Sequence, residues 1–365
     1  MNFGCIYRSV IVKMGAFLMA LMAIYFISSC SRKLHVTDST REVVVYPPPP
    51  DTARIQYLTS ISNSAQITKR QSAFKDYVVG KGAVQIINKP YGIHARKGKI
   101  YICDVDLKGL EIIDLTKNSF EYFIPTGYGS LKLPINCFTD DRNFLYVADA
   151  GRMQIVVFDQ NLKYVNAIGG EKDFKPSDVF VANEKIWVAN IKGGIHVYDQ
   201  NTLQILFVFP KYEPGEKGNI YQPTNLWVTE EDVYVSDFGE FNVKVFSLDG
   251  KYKRTIGSYG SLLGQFVRPK GIAVDKESNL YVVDGGFEIC QVFNKEGALM
   301  MHFGGPYKGP GDMWLPVKVT IDYENGEYFK KYVDPRYEID YLVFVTNQYG
   351  PDKVNVYGFI KHGKN

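Results

Sequence analysis

A segment that begins with a proline recurs six times after residue 86, and this repeat constrains the fold more than any other feature of the sequence. Successive prolines lie 42 to 47 residues apart. Each copy contains short apolar runs of strand length that are separated by turn residues, and about four such runs fit into one copy. The prolines that open the six copies are Pro90, Pro134, Pro176, Pro223, Pro269 and Pro316.

Repeats of this length that contain only short strands predict a β-propeller, because one four-stranded blade cannot bury both of its faces alone. The predicted fold class is therefore all-β, a six-bladed β-propeller with four-stranded blades. The sixth copy lacks a fourth strand after Lys361. Residues 53–62 alternate as a half-buried strand does, so we expect this N-terminal strand to close the ring. A short helix is predicted over about 64–80.

The stretch from Gly271 to Gly297 is rich in carboxylates and could be mistaken for an active site. However, an aromatic residue followed three positions later by Asp or Asn occurs in every copy. Asp and Asn side chains bond nearby backbone amides and favour turns. We therefore interpret the recurring position as architecture. Its members are Asp104, Asp149, Asn190, Asp237, Asp284 and Asn347.

The N-terminus has the pattern of a secretory signal. Arg8 and Lys13 precede an unbroken apolar run over residues 14–27, which is too short for a typical membrane-spanning helix. Ser28 and Ser29 then lead to Cys30, as in a bacterial lipobox, so Cys30 is the predicted lipidation site. The predicted domains are a lipoprotein signal peptide at 1–29, a lipid anchor with a proline-rich tether at 30–51, and the propeller at 52–365.

Charge and cysteine content exclude two classes of function. The formal net charge is only +3 and no long basic block occurs, so nucleic-acid binding is not expected. Cys103, Cys137 and Cys290 are far apart in apolar strands, which predicts buried thiols rather than a disulfide framework or a zinc site.

The motifs "GIAVD", "NLYVVD" and "ICQVF" of the fifth copy resemble the NHL repeat, and the resemblance extends over nearly all of 86–360. The Asn-x-Arg that usually follows the second-strand Asp in that family is absent here. The order of lipobox, proline tether, closing strand, helix and blades also resembles the propeller lipoproteins that are common in Bacteroidota. The resemblance implies a location in the cell envelope as an outer-membrane lipoprotein, and leaves open which side of the membrane it faces.

Three polar residues lie at one level of the predicted central channel. In a propeller the first strand of each blade lines the channel, and Asn136, Asp178 and Asn225 each stand two residues beyond the opening proline. Oxygen ligands of this kind suit calcium, and propeller enzymes of the gluconolactonase type resemble this arrangement in part. The alternative is that the three side chains bond neighbouring turns and water.

The loops that join successive blades are long and aromatic. Tyr128, Tyr212, Tyr259 and Tyr307 lie outside the repeated positions, so they are the predicted ligand-binding aromatics. Four other aromatic residues recur just before the prolines and are expected to pack between blades. These are Phe174, Tyr221, Phe266 and Trp314.

Three functions remain open from the sequence. The first is a non-catalytic scaffold, lipid-anchored in the envelope, that binds a ligand such as an envelope protein or a glycan. The second is a metal-dependent envelope hydrolase or lactonase that uses Asn136, Asp178 and Asn225. The third is a structural subunit of a larger membrane assembly. No residue is assigned a catalytic role.

Overall fold

The computed structural model describes residues 43–68 and 83–363, which form six antiparallel sheets. The first strands of successive sheets contact one another, and the first strand of the sixth sheet contacts that of the first. The ring is therefore closed, and the predicted six-bladed propeller is confirmed. The predicted signal peptide, Cys30 and most of the predicted N-terminal helix lie outside the described residues.

The first three blades each contain four strands in chain order from the centre of the ring outward. Blade one has β3 (Pro90–Arg96), β4 (Lys99–Asp104), β5 (Gly109–Asp114) and β6 (Ser119–Phe123). Blade two has β7 (Pro134–Thr139), β8 (Leu145–Asp149), β9 (Gln154–Phe158) and β10 (Tyr164–Gly169). Blade three has β11 (Pro176–Ala182), β12 (Lys185–Asn190), β13 (Gly194–Asp199) and β14 (Ile205–Phe209).

Blades four and five repeat this plan. Blade four has β15 (Pro223–Val228), β16 (Asp232–Asp237), β17 (Asn242–Ser247) and β18 (Tyr252–Ile256). Blade five has β19 (Pro269–Val274), β20 (Leu280–Asp284), β21 (Ile289–Phe293) and β22 (Leu299–Gly304). Loops between blades and turns between second and third strands share one face, which we call the upper face. The hairpins on the opposite side form the lower face.

Blade six is built from both ends of the chain. Its inner strands are β23 (Pro316–Asp322), β24 (Tyr337–Asn347) and β25 (Val354–His362). The fourth strand is β2 (Ile55–Ile61), which pairs with β25 in antiparallel register. The predicted closure by an N-terminal strand is thus confirmed. Ile55, Leu58 and Ile61 of β2 are fully buried, so the closing strand also completes two hydrophobic clusters.

The structure changes two details of the N-terminal region. β1 (Val45–Tyr46), which the sequence analysis assigned to the tether, pairs with β2 as a fifth strand of blade six. The Tyr46 ring packs on Phe303 and Tyr357, and this burial explains why so short a strand forms. The described part of the predicted helix is only a single 3-10 turn, Ser64–Gln66, capped by Asn63.

Other helical segments are short. Gly127–Gly129 is a 3-10 turn on the upper face, whereas α1 (Gly326–Phe329) and the 3-10 turn Lys330–Tyr332 lie in the insertion of blade six. Within the two ranges that the structure describes, no helix has both the length and the hydropathy of a membrane span.

The core consists of six hydrophobic clusters, one at each interface between neighbouring blades. Strands such as β20 and β21 are buried along their whole length because both faces of a blade pack on a neighbour. Cys103, Cys137 and Cys290 are buried, unpaired thiols in these clusters, as predicted.

The structure explains why each repeat begins with a proline. Each one is the first residue of an innermost strand, where the missing N–H removes no necessary ladder bond. The register with the second strand shifts directly after it, for example between Pro176 and Asp178 and between Pro316 and Lys318. Such a bulge redirects side chains. In this propeller it sets the orientation of the residue two positions beyond the proline.

Candidate functional site

The recurring Asp or Asn at the end of each second strand forms local bonds to the upper-face backbone. Asp284 accepts hydrogen bonds from the backbone N–H groups of Val267 and Arg268 at 2.8 and 3.0 Å, and from those of Gly286 and Phe287. Asp149 accepts from Lys132 and Leu133 in the same way. Each side chain thus links the loop that leads into its blade with the turn between the second and third strands. The architectural interpretation of Asp284 is confirmed.

Asn136, Asp178 and Asn225 are placed by the first strands of blades two, three and four, and all three are buried. The Asn136 amide nitrogen donates to the Ser177 carbonyl at 2.7 Å, which links blade two to blade three. Asp178 Oδ2 accepts from the backbone N–H of Leu226 at 3.0 Å, which links blade three to blade four. Asn136 and Asp178 therefore tie adjacent inner strands together.

The cation that the structure places against these oxygens is Lys318. Lys318 lies in the first strand of blade six, which is opposite blade three in the ring. Its Nζ donates to Asp178 Oδ2 at 2.6 Å and to Asn225 Oδ1 at 2.9 Å. Lys318 stands two residues beyond Pro316, at the same level as these oxygens, and its role was not predicted from the sequence. Its side chain braces the centre of the ring.

In this arrangement Asn136, Asp178 and Asn225 do not fit a calcium ion. Asp178 is the only carboxylate of the three, and it is already paired with the Lys318 ammonium. The Asn136 side chain presents its amide nitrogen to the next strand. Calcium takes about six to eight oxygen ligands. Over 43–68 and 83–363, no group of three or more His, Cys, Asp or Glu residues could hold a metal ion.

Burial controls the charges at this level. It raises the pKa of Asp178, whereas Lys318 and the backbone N–H groups of Leu226 and Val179 oppose that increase. Burial also lowers the pKa of His94 to about 3, and Arg96 and Lys318 add to the decrease. His94 is therefore neutral at pH 7.

Below Lys318 the inner wall is aromatic. Four successive blades place a ring four residues beyond their prolines, and neighbouring ring centroids are 4.4 to 5.0 Å apart. The rings belong to His94, Phe138, Phe180 and Trp227. Close ring packing of this kind stabilises the wall and leaves few polar groups toward the axis. Lys318, Asp178 and Asn225 therefore form a polar layer above this wall.

The four predicted ligand-binding tyrosines lie in separate upper-face loops. Tyr128 is 86% exposed and Tyr259 is 66% exposed, so both present their rings to solvent. Tyr307 is half-buried and stacks on Trp314 with ring centroids 5.9 Å apart. Tyr212 points inward instead, and its hydroxyl accepts from the backbone N–H of Tyr252 at 3.3 Å. The structure therefore does not bring the four together.

The aromatic residues before the prolines do not all pack between blades, so that prediction was partly wrong. Phe174 and Phe266 are buried, but Tyr221 and Trp314 are among the exposed large side chains. The reason is their position in the loop: in five of the six blades the buried residue stands three positions before the proline. These five residues are Ile87, Leu131, Ile220, Phe266 and Met313. Tyr221 and Trp314 stand two positions before it and face outward.

Three residues that the sequence analysis missed meet at the mouth of the ring. Lys270 stands one residue beyond Pro269, and its Nζ lies 5.4 Å from the centroid of the Tyr91 ring. Tyr91 belongs to blade one and Lys270 to blade five, so the contact passes over the start of blade six. Arg268 is close enough to lower the pKa of Lys270. The only sequence signal was the cationic residues flanking Pro269.

Comparisons with known proteins agree with this fold. The DUF5128 family model, described as a 6-bladed beta-propeller, matches residues 211–291. The chain is 29% identical over 99 residues to Protein brain tumor of Drosophila melanogaster, a match that covers 27% of this chain and 9% of that protein. The chain is thus a six-bladed β-propeller with NHL-like repeats.

Two solved structures have a similar fold. A structural genomics protein of unknown function from Bacteroides thetaiotaomicron VPI-5482 aligns with a TM-score of 0.59 at 15% identity, over 84% of this chain and 76% of that one. A streptogramin B lyase aligns with a TM-score of 0.50 at 12% identity, over 76% of this chain and 95% of the lyase. At these identities the likeness concerns the fold alone.

Proposed function

We propose that the protein is a binding scaffold whose upper face captures an envelope protein or a glycan. The observation that carries this proposal is the set of solvent-exposed aromatic side chains in loops that differ from blade to blade. Tyr128, Tyr259 and Trp314 belong to this set, and the half-buried Tyr307 stacks on Trp314. Exposed aromatic residues are unfavourable in water and are frequent at binding surfaces. The repeated positions below them are fully used by the fold.

A metal-dependent hydrolase or lactonase has less support. It required Asn136, Asp178 and Asn225 to share an ion, and Lys318 holds the oxygens of Asp178 and Asn225. A propeller that only fills space in a larger assembly needs no upper-face aromatics, so binding is the better-supported function.

We also propose that lipid on Cys30 holds the propeller at the outer membrane. Support comes from the lipobox-like sequence and the short apolar run before it. Multiple acyl chains would give stable anchoring, whereas one chain binds only marginally. Cys30→Ala should move the protein to the soluble fraction after a carbonate wash. Retention of this variant in the membrane at the wild-type level would contradict the anchor.

The binding function is tested with the envelope fraction of the source cells. Wild-type protein should retain a partner that Tyr128→Ala with Tyr259→Ala does not. Tyr328→Ala is the matched control, because Tyr328 is also exposed but lies in the insertion on the lower face. Equal recovery by the upper-face variant and the wild type would contradict the proposal and favour the structural-subunit function.

A further inference from the structure

The mouth of the ring contains more positive than negative charge. Arg268, Lys270 and Lys318 are its cations. Asp178 pairs with Lys318, and the Asp284 carboxylate accepts a hydrogen bond from the backbone N–H of Arg268. Asp178 is fully engaged by Lys318 and two backbone N–H groups. In the part of the chain that the structure describes, neither Lys270 nor Arg268 has a carboxylate within ion-pair distance. These two cations flank Pro269, and Arg268 is close enough to lower the pKa of Lys270.

Lys270 is the more unusual of the two, because it is half-buried and unpaired. Burial lowers its pKa to about 8, and Arg268 adds to the decrease. A buried charge without a partner is unfavourable, and a neighbouring like charge makes it more so. An anion between the two side chains would relieve both effects.

Tyr91 completes the mouth on the side of blade one. Its ring faces the Lys270 ammonium, and its backbone carbonyl accepts from the Thr346 hydroxyl at 2.6 Å, which fixes the strand. Burial raises the pKa of Tyr91, Arg268 opposes that shift, and Asp178 adds to it. The phenol is therefore neutral at pH 7 and is chemically able to donate a hydrogen bond to an oxyanion.

The Lys318–Asp178 pair forms the floor beneath this mouth. Because Lys318 crosses from blade six to blade three, a ligand that enters from the upper face meets this pair before the aromatic wall. The site is thus shallow, and it suits a small charged group at the end of a ligand rather than a molecule that passes through the ring.

We propose that the mouth of the ring binds a carboxylate or phosphate group between Lys270 and Arg268, against Tyr91. Arginine and lysine together give charge-assisted bonds to such oxygens, and these bonds are stronger than neutral ones. The site deepens the binding function proposed above and rests on it, because it lies on the same upper face and specifies an acidic group in the ligand.

The test is calorimetric titration of the full-length protein with inorganic phosphate, glucuronate and glucose. Phosphate and glucuronate should bind, and glucose, which lacks the carboxylate, should not. Lys270→Gln and Arg268→Gln should each weaken binding by about tenfold, since each removes one charge-assisted contact. Lys270→Arg should retain it. Lys295→Gln is the control, because Lys295 is exposed on the lower face of the same blade.

The pH dependence gives a second readout. The Lys270 ammonium should bind the anion and the neutral amine should not, so affinity for glucuronate should fall as pH rises through about 8. The decrease should be absent in Lys270→Arg. Glucuronate is the probe here because phosphate changes its own charge near neutral pH.

Several results would overturn the site. The site is contradicted if neither phosphate nor glucuronate binds the wild-type protein at millimolar concentration. Affinity that is unchanged in both glutamine variants, or lowered equally by Lys295→Gln, would contradict it as well. Any of these results would leave the capture experiment with Tyr128 and Tyr259 unaffected, so failure of the anion site and failure of the binding function are distinguishable. A preference between the two anions would identify the acidic group.

Discussion

Two rings of side chains in this propeller occupy equivalent positions in all six blades but follow opposite rules. The ring at the ends of the second strands is Asp or Asn in every blade, and its members bond the adjoining backbone on the upper face. The ring two residues beyond the prolines contains four residue types, and its polar side chains bond across blades. Its members are Gly92, Asn136, Asp178, Asn225, Gly271 and Lys318.

The repeated ring stabilises every blade in the same way, whereas the variable ring makes contacts that are specific to this protein. A position that repeats satisfies a need that every blade has, namely the capping of backbone amides at the start of its inner strand. At a variable position, the residue type depends on the group that it contacts in another blade. Gly92 and Gly271 show this directly, because a Cβ at either site would lie about 2.5 Å from the backbone of the next strand.

The largest expected effect comes from opening the ring. A chain that begins at Ser64 lacks β1 and β2 and exposes the unpaired edge of β25 to water. We expect aggregation or loss of the cooperative thermal transition. A chain that begins at Val43 is the control and should melt as the wild type does. An unchanged transition in the Ser64 chain would show that closure is dispensable.

The next effect tests the variable ring. Asp178→Ala leaves the buried Lys318 ammonium without a carboxylate, which should lower the free energy of unfolding by about 3–5 kcal/mol. Adding Lys318→Met should restore much of the loss, because the unpaired charge is removed. Urea denaturation of both single variants and the double variant measures the coupling. Strictly additive losses would contradict a direct pair across the ring.

The repeated ring should be sensitive to acceptor loss and tolerant of amide replacement. Asp284→Ala removes the acceptor of four backbone N–H groups and should lower the free energy of unfolding by about 3 kcal/mol. Asp284→Asn should be much milder, because blades three and six have Asn190 and Asn347 at this position. Equal losses in thermal unfolding of the two variants would show that charge, rather than amide capping, is the shared requirement.

A smaller effect concerns one strand-three position that differs between blades. In blade four Lys244 bonds Asp237 there, whereas in blade one Glu111 has both carboxylate oxygens buried without a partner. Burial raises the pKa of Glu111 to about 9, and Asp104 adds to the increase. The folded state therefore prefers protonated Glu111, and stability should decline as pH rises from about 4.5 toward 9.

Glu111→Gln should remove this decline. We expect a gain on the order of 2 kcal/mol at pH 8 and little change at pH 4.5. Thermal unfolding of both proteins between these pH values is the measurement. If the melting temperatures of the wild type and the variant fall equally with rising pH, Glu111 is not a buried carboxyl group without a partner.

The sequence predicted the features that repeat. Spacing, turn residues and alternation were sufficient for six blades, for the architectural role of Asp284 and for closure by residues 53–62, because each follows from a local pattern. The pairing of Lys318 with Asp178 could not be read in this way. It joins opposite blades, and its geometry depends on the diameter of the finished ring.

Smaller errors had local causes. Tyr221 and Trp314 were expected in the core, but the buried residue stands one position earlier in each loop. An irregular loop has no hydrophobic periodicity from which this one-residue difference could be predicted. β1 was assigned to the tether because two residues beside a proline run give too short a pattern, and packing of Tyr46 on Phe303 stabilises the strand. The meeting of Lys270 with Tyr91 brings together two non-adjacent blades and was likewise inaccessible.

The most direct test compares Asp149 of the repeated ring with Lys270, which stands between Pro269 and the variable ring and does not repeat, using glucuronate titration and thermal unfolding side by side. Asp149→Ala is the repeated member, because it removes backbone caps in blade two, away from the Arg268 loop. It should lower the melting temperature by several degrees and leave the affinity of the folded protein unchanged. Lys270→Gln should leave the melting temperature within about 2 degrees of the wild type and lower the affinity by about tenfold. The opposite result, in which Lys270→Gln unfolds the protein or Asp149→Ala abolishes anion binding while folded, would contradict the division between building and binding positions.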